Sequence, residues 1–214
     1  MDFHESLHLQ KADRVGIMGG TFDPIHLGHL VTAEAARSEF NLDKVVFVPS
    51  GQPPHKKGIT ISNKEYRYLM TFLATADNPY FEVSRIEIER TGESYAIDTV
   101  KEIGAKMPAG GSLFFITGAD AILEILTWKN VTELLERCSF IAATRPGFNL
   151  AELHEKIIKK LPGKYLERII TLEVPAMAIS STDIRNRIKK GGTIKYLLPD
   201  AVENFIHKNQ LYQS

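Results

Sequence analysis

The feature that most constrains the fold lies at residues 14–30, where an apolar run, a glycine pair and a helical pattern follow one another. Residues 15–18 are apolar and have the length of a buried strand. Gly19 and Gly20 end this run and allow the backbone to come close to a ligand. Apolar residues then recur at helical spacing from Leu27, so a helix is expected to begin near His26. A strand, a glycine turn and a helix N-terminus together favour phosphate binding, because free N–H groups and the helix dipole both attract anions.

His26 and His29 stand three residues apart, so both are expected on one face of the first helical turn. In an isolated His-x-x-His pair, one histidine more often caps or packs while the other is solvated. Here the pair follows the run Gly-Gly-Thr-Phe-Asp-Pro and encloses Gly28. The whole pattern therefore predicts nucleotide chemistry.

Strand-like and helix-like segments alternate along the chain. Strands are expected at residues 44–49, 113–117, 140–144 and 169–174, with a further one at 81–88. Helices are expected at residues 63–76, 94–106, 151–160, 181–190 and 199–208. Ser94 is expected to open the second of these helices, and Tyr66, Met70 and Leu73 are candidates for the buried face of the first. This alternation predicts an α/β fold with a parallel sheet, whose ligands bind beyond the carboxyl ends of the strands.

Length and composition set further limits. The chain has 214 residues, 43% of them hydrophobic, which is enough for one sizeable core. We expect a polar N-terminal extension at residues 1–13 and one domain at 14–214, with a C-terminal helical part from about residue 180. Lys and Arg equal Asp and Glu at 26 each, so the net charge favours neither a nucleic-acid nor a membrane partner.

The only cysteine, Cys138, lies in an apolar run and is interpreted as a small core residue rather than a nucleophile. A lone cysteine also excludes an intrachain disulfide framework and fits a reducing, cytoplasmic location. No apolar run has the length of a membrane span, and the first residues lack the pattern of a signal peptide.

A second strong motif is Ile-Ser-Ser-Thr-Asp-Ile-Arg at residues 179–185. Ser180, Ser181 and Thr182 can cap a helix, which leaves N–H groups and hydroxyls for another phosphate. Arg185 lies one turn later on the same face as Ser181 and Thr182, and its guanidinium can bind phosphate oxygens with two donors. Taken alone, this motif is slightly better explained as an ordinary serine cap with a solvated arginine, but beside the first motif phosphate binding is favoured.

The two motifs together resemble the nucleotidylyltransferases of the His-x-Gly-His class. Further runs narrow the resemblance: Pro-Pro-His-Lys at 53–56, Ser-Tyr-Ala-Ile-Asp-Thr at 94–99, Gly-Ala-Asp at 118–120, Trp128, Arg-Pro-Gly at 145–147 and Tyr-Leu-Leu-Pro at 196–199. They are similar to those of the bacterial nicotinate-nucleotide adenylyltransferases over about residues 14–212. The resemblance implies a Rossmann-like, doubly wound parallel sheet with flanking helices.

The resemblance also implies roles on the ATP side. The residues expected to bind ATP are Gly19, Gly20, Thr21, Phe22, His26, His29, Gly118, Asp120, Ser181, Thr182 and Arg185. Of these, His26, His29 and Arg185 would act on the phosphates during catalysis, and Asp120 would contact a ribose hydroxyl.

On the other side, the residues expected to bind nicotinate mononucleotide are His55, Lys56, Tyr95, Ala96, Trp128 and Arg145. His55, Lys56 and Arg145 would hold its phosphate, and Trp128 would stack on the pyridine ring. The chain departs from the family at Ala96, where threonine is common near the nicotinate carboxylate. The backbone N–H of residue 96 remains available to an anion.

The implied reaction joins ATP and nicotinate mononucleotide into deamido-NAD and pyrophosphate by direct displacement, in NAD biosynthesis. Mg²⁺ is expected on the ATP phosphates rather than on protein ligands. One alternative is a sibling transferase that uses nicotinamide mononucleotide or another phosphomonoester. Another is a non-catalytic nucleotide sensor, although a pure binder need not keep His26, His29 and Arg185. The sequence leaves the oligomeric state open.

Overall fold

The computed structural model describes residues 7–53, 61–118, 121–122, 124–144, 155, 162–175 and 177–213. Within these ranges the chain forms a six-stranded parallel sheet with the order β3-β2-β1-β4-β5-β6. The strands are β1 (Arg14–Gly20), β2 (Lys44–Pro49), β3 (Phe81–Val83), β4 (Ser112–Gly118), β5 (Ser139–Thr144) and β6 (Ile169–Glu173). The strand order reverses between β1 and β4, so the ligand crevice is expected at their carboxyl ends. The predicted α/β fold with a doubly wound parallel sheet is confirmed.

Helices cover the sheet. They are α1 (Leu27–Glu39), α2 (Lys64–Thr75), α3 (Ile86–Glu89), α4 (Ala96–Gly104), α5 (Val131–Arg137), α6 (Ser181–Lys189) and α7 (Asp200–Lys208). Short 3₁₀ helices occupy Ile125–Thr127 and Gly163–Arg168. The helix expected at residues 151–160 lies outside the described residues, apart from the single helical residue Glu155.

Two local predictions differ from the structure. The strand expected at residues 81–88 ends at Val83, because the Ser84 hydroxyl accepts a hydrogen bond from the Ile86 N–H (3.2 Å) and the chain turns into α3. The helix expected from Ser94 begins at Ala96 instead, with Tyr95 as its N-cap. The Ser94 hydroxyl instead accepts hydrogen bonds from backbone N–H groups of the loop after β2.

The core has two layers, one on each face of the sheet. Ile17 of β1 packs on one face with Ile97, Val100 and Leu134 from α4 and α5. Its neighbour Met18 packs on the other face, where the buried residues come from α1, α2, α6 and α7; they include Ala33, Met70, Ile184 and Val202. Successive residues of a strand point to opposite faces, so strands covered on both faces are apolar throughout.

The segment before β1 differs from the expected polar extension. Leu7, Leu9 and Ala12 are buried in the same core layer as Ile17. The carboxylate of Asp43 accepts hydrogen bonds from the N–H groups of Asp13 and Arg14, both at 2.9 Å. Leu7, Leu9 and Ala12 therefore anchor this segment against the sheet. The sequence pattern does not predict this because polar residues separate the three apolar ones. The helices of the described segments are each too short or too polar to cross a lipid bilayer.

Candidate active site

The N-terminus of α1 carries the histidine pair. His26 is the N-cap, and its backbone N–H donates a hydrogen bond to Nδ1 of His29 (3.2 Å). The two imidazole rings are stacked with their centroids 3.7 Å apart. Because Nδ1 of His29 accepts a hydrogen bond, the proton of the neutral ring lies on Nε2, which is then free to act as a donor.

At two glycines of the motif a side chain would be crowded by a neighbouring ring. A Cβ atom on Gly28 would stand 3.1 Å from both Cε1 and Nδ1 of His26. A Cβ atom on Gly20 would stand 2.7 Å from the ring of Phe22, which is buried and meets His29 edge-on at 5.1 Å. Phe22 has a positive φ of 49°, a conformation that non-glycine residues adopt infrequently. The glycines thus let the turn fold tightly around the two histidines.

Both histidines are electrically neutral near physiological pH. Burial lowers the pKa of His26 to about 4. Burial, together with the charge of His26, lowers the pKa of His29 to about 3. Among the described residues, Nδ1 of His26 has no hydrogen-bond partner although it is buried. An unpaired buried polar atom destabilises a protein, and a polar ligand at this nitrogen would remove that cost.

The second motif lies directly against the first. Ser180 caps α6 by accepting a hydrogen bond from the Asp183 N–H (3.1 Å). Ser181 donates its hydroxyl to the carbonyl oxygen of Pro24 (2.8 Å). Arg185 donates to the carbonyl oxygen of Asp23 (2.7 Å) and to the hydroxyl of Thr182 (3.2 Å). The predicted proximity of Arg185 to Thr182 is confirmed, and both motifs meet at the Asp23–Pro24 segment.

The sequence interpretation missed Arg67, which joins three loops of the site. Its guanidinium is fully buried and donates to the carbonyl oxygens of Ser62 (3.0 Å), Thr21 (2.8 Å) and Gly51 (3.2 Å). These carbonyls belong to the segment before α2, the turn after β1 and the loop after β2. The available signal was the helical spacing of residue 67 with Met70 and Ala74, which are also buried.

Tyr212 was also missed, and it lies almost at the end of the described chain. Its hydroxyl donates to a carboxylate oxygen of the buried Asp23 (2.7 Å). Burial, reinforced by the charge of Asp23, raises the pKa of Tyr212 well above its ordinary value, so the hydroxyl remains a donor. Nothing in the local sequence distinguishes this tyrosine from an ordinary residue that follows a terminal helix.

A cavity of about 300 Å³ opens beside the turn after β1. Its described lining residues are Gly19, Gly20, Thr21, Ser50, Pro53, Glu87, Ser94, Tyr95, Ala96, Phe115, Thr117, Ala121, Trp128 and Lys129. Trp128 meets Phe115 and Phe140 edge-on, with ring centroids 5.6 and 5.9 Å apart. The cavity therefore brings Tyr95, Ala96 and Trp128, predicted for one substrate, to the turn predicted for the other.

Ser94 and Glu87 shape the wall of this cavity. The Ser94 hydroxyl accepts hydrogen bonds from the N–H groups of Gly51 and Gln52, both at 3.2 Å, so it ties the loop after β2 to the start of α4. Glu87 accepts a hydrogen bond from the Thr99 hydroxyl (2.6 Å), and burial raises its pKa. The N-terminus of α4 itself has no side-chain cap. The Asp98 N–H donates to the carbonyl oxygen of Tyr95 (3.1 Å), whereas the first N–H groups of a helix, here those of Ala96 and Ile97, lie before the regular pattern of intrahelical hydrogen bonds.

Several predicted site residues cannot be placed. His55, Lys56, Asp120 and Arg145 lie outside the described residues. Gly118 is exposed at the carboxyl end of β4, the edge at which the cavity lies.

In the segments that the structure describes, no group of three or more His, Cys, Asp or Glu side chains is arranged to hold a metal ion. Cys138 is buried, donates to the Leu134 carbonyl oxygen (3.4 Å) and has its pKa raised by burial to about 12, as expected of a core residue.

Comparison with known proteins agrees with this arrangement. The model of the cytidylyltransferase-like family matches residues 17–187. A protein of Moorella thermoacetica named probable nicotinate-nucleotide adenylyltransferase is 64% identical over 203 residues, which cover 95% of this chain and 93% of that protein. A relative of the same name from Thermoanaerobacter sp. is 56% identical over 207 residues, which cover 96% and 97% of the two chains.

The fold is also that of a solved structure. The Plasmodium falciparum nicotinic acid mononucleotide adenylyltransferase complexed with NaAD superposes with a TM-score of 0.74 at 20% identity, covering 94% of this chain and 97% of that one. At this identity the likeness concerns the fold alone. The family model, which matches residues 17–187, and the two relatives, which are matched over most of their length, show that the chain belongs to the nicotinate-nucleotide adenylyltransferases within the cytidylyltransferase-like family.

Proposed function

We propose that the chain transfers the adenylyl group of ATP to nicotinate mononucleotide, giving deamido-NAD and pyrophosphate in NAD biosynthesis. The observation that carries this proposal is the cavity shared by Trp128, Ala96 and the Gly19–Gly20 turn. An aromatic wall suited to a pyridine ring thus adjoins the turn that leads into the histidine pair. The names of the close relatives support the same assignment.

ATP binds, in this proposal, across the turn after β1. Gly19, Gly20, Thr21 and Phe22 enclose the adenylyl group, and Gly118 and Asp120 contact the adenosine side. His26 and His29 contact the phosphates as neutral donors, since burial keeps both pKa values low. Ser181, Thr182 and Arg185 hold the β- and γ-phosphates, a role supported by their position against Asp23 and Pro24.

The mononucleotide occupies the cavity on the other side of the turn. Its ring lies against Trp128 beside Tyr95, and its carboxylate faces the N–H of Ala96 at the start of α4. The uncapped N-terminus of α4 supports this placement, because its N–H groups and dipole favour an anion. His55, Lys56 and Arg145 bind the mononucleotide phosphate.

The reaction is an in-line displacement. A phosphate oxygen of the mononucleotide forms a bond to the α-phosphorus of ATP while the bond from that phosphorus to the bridging oxygen breaks, and its electron pair leaves with pyrophosphate. A phosphate monoester is largely dianionic near neutral pH because its second pKa is about 6, so no general base is required. Catalysis rests on alignment and on donors that stabilise the charge on the departing phosphates.

A divalent metal ion with ATP is typical of this family, and we propose Mg²⁺. The phosphate side of the site offers imidazoles, hydroxyls and a guanidinium, and the carboxylate of Asp23 already accepts hydrogen bonds from the Tyr212 hydroxyl and the Ser62 N–H, so the described residues fit a metal carried mainly by the triphosphate. When bound, Mg²⁺ would neutralise part of the triphosphate charge. The protein would then orient the complex through His26, His29 and Arg185.

Two further assignments belong to the proposal. Residues 14–214 form one nucleotidylyltransferase domain, which is supported by the packing of α6 and α7 residues Ile184 and Val202 in the same core layer as Met18. The location is cytoplasmic, which is supported by a lone cysteine that is a buried free thiol.

The proposed function is tested by incubating the purified chain with ATP, Mg²⁺ and nicotinate mononucleotide. We expect pyrophosphate and deamido-NAD in equal amounts, measured by a coupled assay and by mass spectrometry. His26→Ala serves as the matched negative control. Release of pyrophosphate without the dinucleotide, or no release at all, would contradict the assignment.

A further inference from the structure

Lys129 follows Trp128 directly and lines the same cavity as Ala96. Among the lining residues that the structure describes, Lys129 is the basic one and Glu87 is the acidic one. The lysine side chain is 48% exposed, so it reaches solvent and is not buried in the core.

The ammonium makes two contacts. Nζ of Lys129 lies 4.1 Å from the ring centroid of Tyr95 and 3.9 Å from a carboxylate oxygen of Asp98. Tyr95 is the N-cap of α4, and Asp98 lies in its first turn. The lysine charge therefore stands over the same helix N-terminus whose first residue is Ala96. Two positive features, the helix dipole and the ammonium, converge on this point.

The charged groups in and beside the cavity indicate why the ammonium of Lys129 would matter to an anionic ligand. A carboxylate that enters the cavity meets the carboxyl group of Glu87, which is buried, and that of Asp98 nearby. Arg90 is already engaged, because it donates to the Thr99 hydroxyl (3.2 Å) and forms an ion pair with Glu102. Lys129 lies beside Asp98 and lines the same cavity, so its ammonium adds positive charge on the side where an anionic ring substituent would bind.

We propose that Lys129 is a specificity-determining residue that favours a carboxylate-bearing pyridine mononucleotide over its carboxamide counterpart. This inference rests on the proposed function and assigns its acid selectivity in part to charge. Ala96 has no side-chain hydroxyl to offer, so the remaining recognition comes from backbone N–H groups and from the ammonium of Lys129. A carboxamide carries no charge, so its interaction with the ammonium is weaker than that of a carboxylate.

The experiment compares kcat/KM for nicotinate mononucleotide and nicotinamide mononucleotide, each at saturating ATP, in wild type, Lys129→Met and Lys129→Arg. Methionine keeps most of the length of the side chain and removes its charge. We expect Lys129→Met to lower kcat/KM for the acid by about 3- to 10-fold, the scale of a partly exposed charge, and to leave the amide unchanged. Lys129→Arg should retain most of the preference.

The matched control is Lys101→Met. Lys101 lies on α4, is 40% exposed and pairs with Glu133 at 2.8 Å, but it does not line this cavity. It should leave the acid-to-amide ratio unchanged. An unaltered ratio in Lys129→Met, or equal losses with both substrates, would overturn the inference while the proposed function stands. A wild-type protein that makes no dinucleotide from nicotinate mononucleotide would overturn both.

Discussion

The hydroxyl of Tyr212 donates a 2.7 Å hydrogen bond to the carboxylate of Asp23, a residue 189 positions earlier in the chain. The carbonyl oxygen of the same Asp23 accepts a hydrogen bond from Arg185. The segment after α7, the turn after β1 and the middle of α6 are thereby joined at Asp23. Tyr212 is a positioning residue in this account, since it acts on the phosphate side of the site through Asp23.

Replacing Tyr212 with Phe should remove this hydrogen bond and leave one buried carboxylate oxygen of Asp23 without its donor. We expect the free energy of unfolding to fall by about 1–3 kcal/mol, as measured by urea denaturation. We also expect the KM for ATP to rise several-fold while the KM for nicotinate mononucleotide changes little. Tyr196→Phe, at a side chain that is 78% exposed, is the control and should change neither quantity. A loss of stability with both KM values unchanged would reduce Tyr212 to a purely structural role.

Activity should require the planar guanidinium of Arg185 and not only its positive charge. Its two contacts, to the Asp23 carbonyl and the Thr182 hydroxyl, use separate nitrogens, and further N–H groups remain for phosphate. A lysine ammonium cannot reproduce this geometry. Arg185→Lys is therefore expected to recover only part of the activity that Arg185→Ala loses, measured as kcat/KM for ATP. Complete rescue by lysine would show that positive charge alone is sufficient.

His26 should contribute more to the transition state than to substrate binding. Its ring is fixed against His29 and over Gly28, at the start of α1. His26→Ala should lower kcat by ~100-fold or more, the scale of losing one charge-stabilising donor, with a much smaller change in the dissociation constant for ATP. Steady-state kinetics and calorimetry measure the two quantities, and His207→Ala on α7 is the control. A near-normal kcat in His26→Ala would remove His26 from the catalytic group.

The low pKa of His26 predicts a specific loss of stability in acid. The folded state holds the pKa at about 4, below the ordinary value of 6.5, so the unfolded chain binds more protons between these values. The stabilisation is fully present above about pH 6.5 and is lost as the pH falls toward 4. From about pH 7.5 to about pH 5, the wild type should lose roughly 1–2 kcal/mol more unfolding free energy than His26→Gln, which cannot titrate there.

This acid effect is measured by urea denaturation at the two pH values. His207→Gln is the control, because the His207 side chain is 60% exposed and lies on α7. The unfolding free energy of His207→Gln should fall in acid by as much as that of the wild type. Equal losses in the wild type and His26→Gln would show that His26 does not remain neutral in the folded state.

The sequence predicted the main elements because their signals are local. The apolar run before Gly19 and the helical spacing after His26 give β1 and α1 directly, and the structure confirms both. The serine cap before Arg185 likewise marks the start of α6. These patterns depend on neighbours within one or two turns, which the sequence displays.

The buried face of α2 was predicted less well. Met70 is fully buried as expected, but Tyr66 is 37% exposed and meets Phe205 of α7 edge-on. The buried positions also include Arg67 and Thr71. Hydrophobic periodicity misses them because Arg67 is satisfied by carbonyls from distant loops, and only the folded chain brings those carbonyls together.

The proposed preference for nicotinate mononucleotide is tested by one measurement in the wild-type protein: the ratio of its kcat/KM to the kcat/KM for nicotinamide mononucleotide. A carboxylate can accept hydrogen bonds at both oxygens from the N-terminus of α4, whereas the NH₂ of a carboxamide would face donors. We expect a roughly 5- to 150-fold preference for the acid, the scale of one unpaired buried polar group. Ala96→Thr should raise this preference or leave it unchanged. Equal kcat/KM values for the two substrates, or a preference for the amide, would contradict the assignment of nicotinate mononucleotide as the substrate.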